Sequence, residues 1–77
     1  MTLNALGPGE TGRVAAVSGG GPLRQRLLDM GLTPGVSVRV VRRAPLGDPM
    51  EIELRGYVLS LRGDDARRIT INAEANA

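Results

Sequence analysis

The chain has no cysteine, histidine, lysine, phenylalanine or tryptophan, and each absence removes a class of function. Without cysteine there is neither a disulfide staple nor a thiolate metal site, which fits a reducing compartment. Without histidine the chain lacks the commonest general base and the commonest transition-metal ligand. Tyr57 is the only aromatic residue, whereas proteins that bind single-stranded nucleic acid stack bases on several rings. No apolar run approaches the roughly 20 residues of a membrane span. Met1–Leu6 also lacks the basic and apolar regions of a signal peptide. A cytosolic protein is expected.

What is present is small and arginine-rich. Seventy-seven residues make one domain, and a chain of that size buries only about 60–65% of its unfolded surface. All ten basic residues are arginine, and the net charge is +2. The pI near 10.4 reflects arginine chemistry more than a strong positive field. Arginine makes forked contacts with carboxylates and phosphates and suits protein interfaces. Arg24, Arg26, Arg42, Arg43, Arg55 and Arg62 therefore read either as solvated rims or as an interface for an acidic or phosphate-bearing partner.

Apolar periodicity and turn residues divide the chain into five short strands, one helix and one helical turn. Leu3–Gly12 is a loose lead-in with a Gly7-Pro8-Gly9 turn, and Arg13–Val17 is a first strand. Ser18-Gly-Gly-Gly-Pro22 lacks the Gly-Lys-Ser/Thr ending of a phosphate loop and reads as a connection. A helix follows from Pro22 or Leu23 to Met30. Leu23, Leu27 and Met30 share one face, Leu28 lies at its margin, and Gly31 is a left-handed cap. Thr33-Pro34-Gly35-Val36 has type II turn chemistry. Val36, Val38 and Val40 alternate with polar residues until the phase breaks at Val40-Val41, where a bulge is expected.

Ala44-Pro-Leu-Gly-Asp-Pro49 is a stiff loop. Met50, Ile52 and Leu54 alternate with Glu51 and Glu53. Those glutamates share a face and read as a weak divalent-ion site or as an arginine-paired outer face. Arg55-Gly56 marks a tight hairpin. Tyr57, Leu59 and Leu61 form the inward set of the return strand. Asp64 and Asp65 start a helical turn, Ile69–Ile71 is a last strand, and 72–77 is a flexible tail. Short strands split by Gly/Pro turns indicate a mainly β, five-stranded bent barrel, since closure removes exposed edges. Its expected core is Val14, Leu27, Met30, Val38, Val40, Ile52, Leu54, Leu59, Leu61 and Ile69.

No nucleophile has a base beside it, so an enzyme is not expected. A docking surface is. It comprises Arg24, Leu28, Met30, Leu32 and Pro34 on the helix and its following turn, with Pro45, Leu46, Asp48 and Pro49 on the loop. Leu46 sits at the loop tip, either as an exposed anchor or folded back over the barrel mouth.

Three blocks in order, Arg26-Leu-Leu-Asp-Met-Gly-Leu-Thr-Pro-Gly35, Ala44-Pro-Leu-Gly-Asp-Pro49 and Arg55-Gly-Tyr-Val-Leu-Ser-Leu-Arg62, closely resemble the FeoA family of ferrous iron transport proteins A. Pro8-Gly-Glu-Thr-Gly12 and Ala66-Arg-Arg-Ile69 also fit, so the resemblance runs from about Leu3 to Ile71. It implies one SH3-like barrel over 1–77 with an inserted helix and a core over 3–71. It also implies a cytosolic accessory that binds the cytosolic, GTP-binding region of the FeoB membrane iron transporter and meets the membrane only through that partner. Weak self-association is compatible with it. No cofactor and no metal ligand are assigned, because His and Cys, the ligands of a strong borderline site, are missing. The same fold and motifs occur as a C-terminal module of iron-dependent repressors, which is the alternative reading. A peptide-binding SH3 module would need an aromatic groove, and a small nucleic-acid-binding barrel would need more charge and more aromatics.

Overall fold

The protein is described by a computed structural model over residues 1–46 and 48–73. After a short 3-10 turn (Leu3–Ala5) come β1 (Thr11–Val17), α1 (Gly21–Asp29), β2 (Ser37–Arg43), β3 (Met50–Leu54), β4 (Tyr57–Leu61), α2 (Gly63–Ala66) and β5 (Ile69–Ala73). The strands form one antiparallel sheet in the order β4-β3-β2-β1-β5.

The sheet is not closed into a barrel, contrary to the sequence expectation. The reason is at the N-terminus. Thr2 bridges Thr70, and the Ile71 N–H donates to the Met1 carbonyl at 2.9 Å. The outer edge of β5, which closure would have given to β4, is covered by the first residues of the chain instead. Asn72 and Ala73, expected in a tail, pair with Arg13 and Gly12 and extend β5. The rest of that tail, 74–77, lies outside the described residues.

The lead-in is also more ordered than its composition suggests. Leu3 and Leu6 are fully buried in the core. The Arg43 guanidinium, thirty-seven residues from Leu6, donates to the Leu6 carbonyl at 2.7 Å and also bonds the Asn4 carbonyl. Those two acceptors end a 3-10 turn and would otherwise lose hydrogen bonds on burial.

Strand alternation builds the remaining core. Val38 and Val40 on β2 face Met50, Ile52 and Leu54 on β3, and all five are buried. A register shift between Val40 and Arg42 supplies the expected bulge. Its effect is specific: Arg39 lies opposite Glu53 before the shift, and the extra residue, Val41, then brings Arg42 opposite Glu51. Both pairs form ion pairs, at 2.9 and 3.0 Å. The glutamates therefore line an arginine-paired outer face.

Not every expected core position holds. Met30 and Leu59 are only partly buried against the core. Tyr57, expected inward, is 46% exposed, because β4 is an edge strand and none of the described residues covers its first position. Its hydroxyl nonetheless donates to the Met30 carbonyl at 3.2 Å and ties the hairpin to the end of α1. The positive φ of Arg55 (50°) and Gly56 (85°) is that of a type I′ turn.

The end of α1 fixes how the helix docks. Gly31 N–H donates to Leu28 O at 2.9 Å, and Leu32 N–H to Leu27 O at 3.2 Å. That bond pair is a Schellman motif, which requires a left-handed residue at Gly31, whose φ is 101°. At the other helix, α2, the start is capped from a distance. Asp48 Oδ1 accepts the Gly63 N–H at 2.9 Å, while Asp64 and Asp65 lie in the first turn without capping it.

Two outcomes follow for stability. A Cβ at position 31 would lie 3.1 Å from the Tyr57 hydroxyl and 3.2 Å from Leu54 Cδ1, on top of the left-handed strain. Gly31→Val is expected to lower the unfolding free energy by at least about 1 kcal/mol in urea titration; an unchanged midpoint would refute the cap. Asp48→Ala is expected to cost about 1 kcal/mol, and Asp48→Asn, which keeps an acceptor oxygen, much less; equal losses would show that the bond to Gly63 is immaterial.

Candidate docking surface

The helix-side residues are held by fold contacts before they can meet a partner. Arg24 Nε donates to the Val17 carbonyl at 3.0 Å, tying α1 to the end of β1. Arg26 reaches Asp65 at 3.3 Å, joining α1 to α2. Leu32, expected at the surface, is 0% exposed. As the residue after the left-handed glycine it belongs to the apolar contact that accompanies a Schellman motif, and it shares the core cluster with Leu27. Spacing could have shown this, because Leu32 lies five residues after Leu27. Leu28 and Met30 are half-buried, and Pro34 is exposed on its turn. That turn is pinned: the Gly35 N–H donates to Val14 O at 2.7 Å, and Arg13 Nη1 donates to Gly35 O at 2.8 Å.

The loop-side residues divide differently. The Ala44 N–H donates to the Pro49 carbonyl at 3.0 Å, which closes the loop at its base. Pro45 and Pro49 are exposed, the Asp48–Pro49 peptide is cis, and Asp48 is committed to α2. Gly47 lies outside the described residues. Leu46 is 96% exposed, so of its two expected positions the open one is adopted. A hollow of about 280 Å³ lies beside it, lined by Arg42, Arg43, Ala44, Pro45, Pro49 and Glu51.

The structure does not merge the two halves of the expected surface. The Gly31 turn lies by Leu54 and Tyr57, at the hairpin end of β3. The Ala44–Pro49 loop leads into Met50 at the opposite end, about 13 Å away along the strand. The arginines weighed in the sequence as rim or interface also divide. Arg55 and Arg62 are both exposed and, among the described residues, make no ion pair.

Among the described residues no group of three or more acidic side chains converges as a metal site, and no helix is long and apolar enough to cross a membrane.

Comparison with known proteins places this geometry in a family. The FeoA domain model matches residues 1–73. The chain is 38% identical over 71 residues to the Fe(2+) transport protein A/Fe(2+) transporter FeoB fusion protein of Porphyromonas gingivalis; the match covers 92% of this chain and 8% of that protein. Among solved structures, the FeoA protein of Chlorobium tepidum superposes with a TM-score of 0.90 at 38% identity, over 100% of this chain and 73% of that one. Stenotrophomonas maltophilia FeoA complexed with zinc, described as a prokaryotic SH3 domain protein, gives 0.82 at 26% identity, over 94% and 89%. A manganese-dependent transcriptional repressor shares the fold at a TM-score of 0.86 and 22% identity, over 96% of this chain and 36% of its own. An open, SH3-like antiparallel sheet, a Gly31-capped helix and a family match over nearly every residue identify the chain as a member of the FeoA family.

Proposed function

We propose that this chain is a small cytoplasmic accessory of ferrous iron uptake. It binds the cytosolic, GTP-binding region of a FeoB-type membrane transporter, meets the membrane only through that partner, and catalyses no reaction itself. The observation that carries this reading is the Porphyromonas gingivalis relative, in which a transport protein A part and a FeoB part form one polypeptide. Linkage of that kind holds two modules at about millimolar effective concentration, which favours parts that work in contact.

Leu46 is the anchor of the docking surface. It projects from a loop whose backbone is restricted by Pro45 and Pro49, so little entropy is lost when it is buried. The hollow beside it pairs apolar Pro45 and Pro49 with the exposed guanidinium of Arg42, the mixture common at interface centres. Pro34, with half-buried Leu28 and Met30, extends the contact from the far end of β3. The likeness to metal-dependent repressors supports a shared fold and adds no separate function.

The test is binding of the purified chain to the isolated cytosolic domain of a FeoB transporter, followed by calorimetry. Leu46→Asp is expected to weaken binding about tenfold or more, as loss of a central anchor does, with the melting temperature unchanged. Wild-type affinity in a correctly folded Leu46→Asp protein would eliminate the loop as the contact.

A further inference from the structure

The two edges of the sheet are treated differently. The outer edge of β5 is covered by Met1 and Thr2. β4 pairs with β3 on one side only. The two-residue Arg55-Gly56 turn makes Leu54 and Tyr57 a hydrogen-bonded pair, and alternation then turns Tyr57, Leu59 and Leu61 toward β3. Val58 and Ser60 turn their N–H and C=O groups outward. Among the described residues those groups meet no backbone partner, and both side chains are exposed. Edge strands are ordinarily blunted by a charge, a proline or a bulge. β4 has none of these between Tyr57 and Leu61, and its register with β3 is unbroken.

Charge on this strand stands only at its two ends, as the guanidinium groups of Arg55 and Arg62, which make no ion pair among the described residues. That placement decides between occupants. If two copies of β4 paired antiparallel, with Val58 opposite Ser60, Arg62 of each copy would approach Arg55 of the other. Like charges at both ends oppose that arrangement. A segment with a carboxylate at each end meets a guanidinium at each end instead. A hollow of about 290 Å³ lies along the same edge, with Met30 and Leu61 as apolar lining beside Ser60, Arg62 and the Arg26–Asp65 pair, in which Arg26 already neutralises the one carboxylate. It fits an apolar side chain placed next to an acidic one.

We propose that the β4 edge is a strand-addition site for an extended peptide segment of a partner protein, apolar at its centre and acidic at both ends. Main-chain bonds to Val58 and Ser60 supply affinity, and the hollow and the two arginines supply selectivity. The site is separate from Leu46 and does not rest on transporter binding, since it is tested on the purified chain alone.

The test is titration of isotope-labelled protein with a synthetic peptide of alternating valine and threonine bearing glutamate at each end, against its lysine-ended counterpart. Amide shifts are expected at Val58 and Ser60, with the glutamate peptide binding about tenfold tighter at low salt. Val58→Pro removes one outward N–H, a change an edge strand tolerates, and is expected to cut binding at least tenfold. Should that variant unfold, Arg62→Glu keeps every edge N–H and is expected to remove or reverse the preference for glutamate. Equal affinity for the two peptides, shifts confined to other surfaces, or no binding at millimolar peptide would overturn the proposal. So would a dimer in sedimentation that Val58→Pro dissociates, because the occupant would then be a second copy.

Discussion

The docking of the first six residues against β5 and Arg43 is the contact on which the rest of this small fold depends. It places Leu3 and Leu6 in the core, gives β5 a covered outer edge, and thereby keeps β4 from closing the sheet. A chain of this length has little core to spare. Two buried leucines, each contributing about 1.5–3 kcal/mol relative to exposure, form a substantial part of a marginal total. The Arg43 guanidinium makes their burial possible, because it satisfies carbonyls that the short 3-10 turn leaves unbonded.

Arginine performs much of the structural work that lysine, aromatics or disulfides do elsewhere. Arg13 fixes the Pro34-Gly35 turn, Arg24 fixes α1 to β1, and Arg26 joins the two helices. Arg39 and Arg42 pair with the glutamates of β3 across the bulge. Exposed pairs of this type contribute about 0–1 kcal/mol each, so their effect is orientation more than stability. The exposed guanidinium groups at the two ends of β4 have no such commitment among the described residues.

Two exposed features flank β3. The loop before β3 is closed at its base by Ala44 and Pro49 and exposes Leu46 at its tip. The strand after β3 exposes backbone groups that meet no backbone partner among the described residues. Both features are connected through β3, whose five residues carry three buried side chains and two ion-paired glutamates. Such a strand is stiff, and it transmits a fixed spacing to the surfaces at its two ends. FeoA family membership gives these surfaces a context in ferrous iron transport.

Local chemistry made the strand-turn-helix order, the Gly31 cap, the Pro34-Gly35 turn, the Arg55-Gly56 hairpin and the bulge after Val40 legible in the sequence. Each is set by residues within a few positions of one another. Leu32 was misplaced although its spacing from Leu27 held the answer. Tyr57 was misplaced because alternation specifies a face and not whether that face is covered. The family was legible from ordered motifs. What tertiary structure alone decided was which strand lies at an edge, that Met1–Leu6 covers β5, and that Asp48 caps a helix fifteen residues away. Those outcomes depend on backbone donors and acceptors meeting across long separations, and no local pattern in the chain records where such partners will be found.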